Sequence, residues 1–319
     1  MANFLKNKYL IGIIYALFVF CSCSTNDDSN AEVNQEDDPI AITPNEDLPQ
    51  GTGVFNYTYN ALNWSKILKV YYYSPQNRTP TTPIVFVFHG TGRNAKDYRD
   101  AMISKADQYG FLVIAPEFSE QNFPGGDGYN LGNVFVDGDH PSPTTLNPEA
   151  EWTFSIIEPL FDLVKTVTDN TNATYNVFGH SAGGQFTHRF IMFKPNARVN
   201  KVVSSGSGWF TFPDASITFP YGFNQSPLEE ISLETLLSRN ITIQVGAQDT
   251  DPNSPGLRHN EFADAQGLNR KDRAINFYAF CEDLAQSNTL SFNWDFHIIE
   301  NTGHDYVKAS KEAADLIFN

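Results

Sequence analysis

The chain has 319 residues, 41% of them hydrophobic, which is enough for one large α/β core. Its formal net charge of -16 argues against nucleic acid and anionic lipid surfaces as partners, because phosphate binding needs clustered Lys and Arg. Of the three cysteines, Cys21 and Cys23 lie near the start and Cys281 stands alone, so no disulfide is expected within the main part of the chain.

In chain order, Lys6 and Lys8 precede an apolar run from Tyr9 to Phe20. That run is short for a membrane span but suits the h-region of a secretory signal. It ends at Cys21-Ser22-Cys23-Ser24, which resembles the signal of a bacterial lipoprotein. The resemblance implies a signal peptide over 1–22 and lipidation of Cys23. From Ser24 to Gln50 there are eight acidic residues, no basic ones and three prolines, a composition expected of a disordered tether over 23–50. Asp27-Asp28 is similar to the acidic export signal of Bacteroidetes surface lipoproteins, which implies an outer-membrane, cell-surface location.

Residues 51–319 read as one domain. Val54 to Tyr59 and Ile67 to Tyr73 are expected to form an antiparallel opening pair, rich in aromatic and branched residues. Ile84 to Phe88 is apolar at every position, as a parallel strand covered on both faces requires. It runs into His89-Gly90-Thr91-Gly92, a turn whose backbone N–H groups suit an oxyanion hole, with Thr91 or Gly92 as donor. His89 is expected to organise that loop. A helix over 98–109 and a strand over 111–115 follow, and then an irregular stretch from Pro116 to Pro148. A loop of that length is expected to build a wall of a pocket. Its Asp127, Asp137 and Asp139 do not follow an EF-hand spacing and read as turn carboxylates.

After a helix over 152–167, Tyr175 to His180 forms a strand ending in Gly179-His180-Ser181-Ala182-Gly183-Gly184. This G-x-S-x-G turn lifts a serine hydroxyl clear of the backbone where a strand becomes a helix, and Ala182 supplies the second oxyanion N–H. Val199 to Ser204 is the next strand. The aromatic segment 209–237 is expected to be a small lid, with Trp209 and Tyr221 either binding substrate or closing the core. Ile241 to Gly246 is a strand delivering Asp249, with Asp251 as the second choice of acid. Phe292 to Ile299 is the last strand and delivers His304. An alcohol is a weak nucleophile, so Ser181 needs His304 as base, and Asp249 would hold that imidazole in one tautomer. His180 and His297 are not expected to serve as the base. No metal or cofactor is required.

The His89-Gly90 turn, the Gly179 to Gly184 corner, Asp249 and Gly303-His304 together resemble the α/β-hydrolase superfamily. Within it the chain is most similar to serine esterases grouped with poly(3-hydroxybutyrate) depolymerases and feruloyl esterases. The resemblance implies a mostly parallel central sheet with helices on both faces, and a carboxylic ester substrate carried on plant or algal polysaccharide. A polyester depolymerase, a peptidase or a non-catalytic surface glycan-binding lipoprotein are the alternatives. Arg258 and Arg270 concentrate positive charge after Asp249, either to bind a substrate carboxylate or to fix the loop by salt bridges.

Overall fold

The computed structural model describes residues 38, 39, 42, 47–62 and 64–319. The expected signal peptide, Cys23 and most of the acidic tether therefore lie outside the described residues. Packing begins before Gly51: Leu48 is buried, its N–H donates to the Val167 carbonyl, and its own carbonyl accepts from Arg78.

The opening pair forms as an antiparallel hairpin, β1 (Gly51–Ala61) and β2 (Trp64–Ser74). There follow β3 (Ile84–Phe88), α1 (Ala95–Tyr109), β4 (Leu112–Pro116), the single turn α2 (Gly125–Gly128) and α3 (Ile157–Thr166). The second half holds β5 (Tyr175–His180), α4 (Ala182–Phe193), β6 (Val199–Ser205), α5 (Leu233–Leu237) and β7 (Asn240–Gly246). It ends with α6 (Glu261–Ala265), α7 (Arg270–Asn288), β8 (Trp294–Ile299) and α8 (Tyr306–Phe318). One eight-stranded sheet runs in the order β1-β2-β4-β3-β5-β6-β7-β8, antiparallel through β2 and β4 and parallel from β4 to β8.

Alternation along the strands divides the core into two layers. Ile84, Phe86 and Phe88 point with Leu112 and Ile114 toward α3, α4 and α7, whereas Val85, Val87, Val113 and Ala115 point toward α1 and α8. Every residue of β3, β4 and β5 is buried, so the sheet is covered on both faces where the catalytic candidates emerge.

Three stretches take a more definite form in the structure. The helix foreseen over 152–167 winds as a 3₁₀ turn at Thr153–Ile156 before α3 begins, which places Pro159 in the first α-helical turn, where its missing N–H has no intrahelical acceptor to satisfy. In the long loop, Phe123 and Tyr129 are buried in the core, whereas Phe135 borders one surface pocket with Pro143 and Leu146, and Asp139 and His140 border another. In the segment 209–237, Trp209, Phe210, Phe219, Tyr221 and Phe223 are likewise buried, and Phe210 exchanges backbone hydrogen bonds with both amide atoms of Gln266.

Candidate active site

Ser181 occupies the corner between β5 and α4 with φ 59° and ψ -118°, a left-handed backbone that a non-glycine residue adopts only under constraint from its surroundings. The glycines of the motif supply that constraint. A methyl group on Gly179 would lie 2.1 Å from the Gly183 carbonyl oxygen, and one on Gly183 would lie 2.0 Å from the carbonyl oxygen of Phe88. A methyl group on Gly184 would lie 2.4 Å from the Ser205 carbonyl oxygen. The Ser181 N–H donates to the Ser205 carbonyl at 2.9 Å, fixing the corner against β6.

The loops after β7 and β8 are zipped together. Ala247 N–H donates to the Ile299 carbonyl at 2.9 Å and Gln248 N–H to the Thr302 carbonyl at 2.7 Å. Gly246 allows this, since a methyl group there would meet the carbonyl oxygens of Thr302 and Gly303 at 2.4 Å. The consequence is that His304 Nδ1 and Asp249 Oδ2 meet at 2.7 Å, with the Asp249 side chain only 4% exposed. Asp251, the second choice of acid, is exposed and caps its own turn through the Asn253 N–H. His297 faces Glu312 at 3.5 Å instead.

Ser181 is followed in space by His304 through the His180 ring and two close glycines. A methyl group on Gly90 would lie 3.6 Å from Ser181 Cβ, and one on Gly206 would lie 3.3 Å from His304 Cε1 and 2.9 Å from His180 Nε2. The rings of His180 and His304 pack with centroids 4.4 Å apart. No hydrogen bond joins Ser181 Oγ to His304 here, an arrangement common in unliganded hydrolases, where that contact tightens with substrate. His180 is buried, which holds its pKa well below the usual range, helped by the charges of His304 and Arg270; a neutral ring therefore faces His304.

The N–H groups of Thr91, Gly92 and Ala182 have no protein acceptor among the described residues, and Thr91 and Gly92 sit in an exposed turn. Ala182 begins α4, so its N–H lies at the positive end of the helix. His89 shapes the turn from behind. Its Nε2 accepts from the Phe118 N–H, its Nδ1 lies 2.9 Å from the Gly90 carbonyl, and burial pushes its pKa down to about 3.

The substrate-binding candidates are placed differently. Trp209 and Tyr221 are 4% and 7% exposed, and the guanidinium groups of Arg189, at 4.0 Å, and Arg258, at 4.9 Å, lie over the Trp209 ring. Arg258 makes a bidentate pair with Asp139, at 2.6 and 3.1 Å, and donates to the Tyr221 hydroxyl. Arg270 is only 3% exposed and lies against Asp249 at 3.6 Å. Tyr221 and Phe262 border a cavity of about 340 Å³ whose other walls include Phe212, Ile217 and Phe280. Of the two roles that the sequence leaves open for Arg270, its ion pair with Asp249 matches the loop-fixing one, whereas Tyr98 carries no sequence signal for the site. Tyr98 places its hydroxyl 3.3 Å from His180 Nδ1, and the Asn269 cap of α7 was the signal that puts Arg270 in a first helical turn beside the Asp249 loop.

The chain is similar to poly(aspartic acid) hydrolase-1 from Sphingomonas sp. KT-1, with 37% identity over 85% of this chain and 100% of that one and a TM-score of 0.78. It belongs to that α/β-hydrolase family. Within the family, the LpqC poly(3-hydroxybutyrate) depolymerase from Bordetella parapertussis is similar at 31% identity, covering 85% of this chain and 90% of that one with a TM-score of 0.78. An S-formylglutathione hydrolase from Agrobacterium tumefaciens, 15% identical with a TM-score of 0.53, shares the fold. No protein-family model and no curated protein sequence matches the chain. The α/β-hydrolase fold expected from the motifs is present, and family membership makes the chain a hydrolase of the esterase and depolymerase type.

Proposed function

We propose that the chain is a serine hydrolase that cleaves carboxylic esters through an acyl-enzyme. The observation that carries this reading is the 2.7 Å contact between His304 and buried Asp249, set beside a serine in a strained left-handed turn. Asp249 fixes the imidazole with Nδ1 protonated, leaving Nε2 as the base for the Ser181 proton. Ser181 Oγ adds to the acyl carbon, and the N–H groups of Ala182 and of Thr91 or Gly92 receive the oxyanion. The proton held by His304 passes to the departing alcohol as the C–O bond breaks. Water then adds to the acyl-enzyme with His304 again as base, releasing the acid and restoring Ser181.

Depolymerase activity is the second reading, favoured by the polymer substrates named for both relatives above 30% identity. Lipid attachment at Cys23 belongs to the proposal as well, and would hold the enzyme at the outer membrane, facing polysaccharide or polyester esters outside the cell. Hydrolysis of short-chain, long-chain and feruloyl esters, poly(3-hydroxybutyrate) and poly(aspartic acid), beside the Ser181→Ala protein, tests these readings. Turnover of small esters alone supports the esterase, turnover of polymer supports the depolymerase, and no turnover on any of them contradicts both.

A further inference from the structure

We propose that Arg270 is a positioning residue for this reaction, clamping the outer oxygen of Asp249 so that the inner one faces His304. The proposal rests on the Ser181, His304 and Asp249 reading above. Arg270 occupies the first turn of α7, capped by Asn269, and its side chain is 3% exposed against 4% for Asp249. Its Nη1 lies 3.6 Å from Asp249 Oδ1 and donates to Ser254 Oγ at 2.6 Å, while Nη2 donates to the Pro255 carbonyl at 3.3 Å. The next residue ties the backbone as well, since Lys271 N–H donates to the Asp249 carbonyl at 3.1 Å. Asp249 is thus gripped through its outer oxygen and its carbonyl by one helix start, and its Oδ2 is left for His304 at 2.7 Å.

A buried cation at this place serves the carboxylate's orientation, because its attraction to Oδ1 holds the carboxylate so that Oδ2 faces His304. The groups around them are His180 from the end of β5, Tyr98 from α1, Tyr306 from α8, Asp251 from the intervening loop and Lys271 from α7. Lys271 directs its ammonium to the Ala247 carbonyl, and burial keeps His180 neutral, so Arg270 is the full positive charge against Asp249. An arginine there holds the geometry of the Asp249 and His304 pair.

The test measures kcat and KM for Arg270→Met, Arg270→Lys and Ser254→Ala, with Ser181→Ala and Asp249→Asn alongside. In R270M, kcat falls about 30-fold with little change in KM. R270K keeps the charge but loses the planar fork, so it recovers part of that loss, with kcat several-fold below wild type. S254A, which loosens the clamp, lowers kcat in the same direction. Wild-type kcat in R270M, or a loss that falls on KM instead, would overturn the proposal. Should R270M not fold, wild-type kcat in both R270K and S254A overturns it. Retained activity in S181A would instead sink the underlying catalytic reading, so the two failures are distinguishable.

Discussion

His304 Nδ1 and Asp249 Oδ2 lie 2.7 Å apart although 55 residues separate them in the chain. Asp249→Asn keeps the shape but offers the ring an amide, so the imidazole loses its preferred tautomer and kcat falls roughly 10⁴-fold. Asp251→Asn, exposed and turned toward its own loop, leaves kcat within about twofold. Steady-state kinetics of the two variants on one model ester checks both statements.

The serine corner depends on absent side chains. Gly183→Ala drives a methyl group to 2.0 Å from the Phe88 carbonyl, where backbone rather than a flexible side chain must move. We expect a loss of about 2 to 4 kcal/mol in stability and more than 10²-fold in activity. At Gly92 a methyl group meets only the Asn94 side chain, at 3.3 Å. Gly92→Ala therefore folds with less than about 1 kcal/mol lost. Chemical denaturation of both proteins separates these outcomes.

Most of the architecture was legible because the sheet is regular. Runs such as Ile84 to Phe88, apolar at each position, have one reading as doubly covered strands, and the glycines around Ser181 have one reading as a crowded corner. Asp249 and His304 were found because each follows such a strand by a few residues. For Arg270 the sequence leaves a substrate-binding and a loop-fixing role open, and only the fold of α7 back onto the Asp249 loop, 21 residues away with no periodicity to announce it, shows the ion pair. Trp209 and Tyr221 are ambiguous for a similar reason: aromatic residues in a loop look alike in sequence whether they meet substrate or pack, and here they pack on Arg189, Arg258 and each other while Tyr221 also borders a cavity.

Arg258 is spoken for by Asp139, so its removal unpins two loops more than it removes a free charge. Arg258→Met and Asp139→Asn each lower stability by about 1 kcal/mol, and the double variant loses less than their sum. Neither changes the ratio of activity on anionic and neutral esters. A double-mutant cycle with both classes of ester measures the coupling; a selective loss on anionic esters in R258M would restore a substrate-binding role.

Buried His89, His180 and His188 all have pKa values held below the free value of 6.5, chiefly by burial. The unfolded chain takes up protons at these positions below pH 6.5, and the folded chain does not until far lower, near pH 3 for His89. Their stabilisation is thus complete above pH 6.5 and declines as pH falls, by up to about 1.4 kcal/mol per pH unit for each ring. Denaturation midpoints should drop between pH 7 and pH 5, and His188→Gln, which can still accept from the Thr211 N–H, should flatten that slope by about a third.

The central claim is that Ser181 is an activated nucleophile served by His304, and reaction with a fluorophosphonate followed by peptide mass spectrometry tests it most directly. The account predicts one adduct, on Ser181, that disappears in Ser181→Ala and forms far more slowly in His304→Ala. An unmodified wild-type protein, or an adduct on another residue, would contradict it.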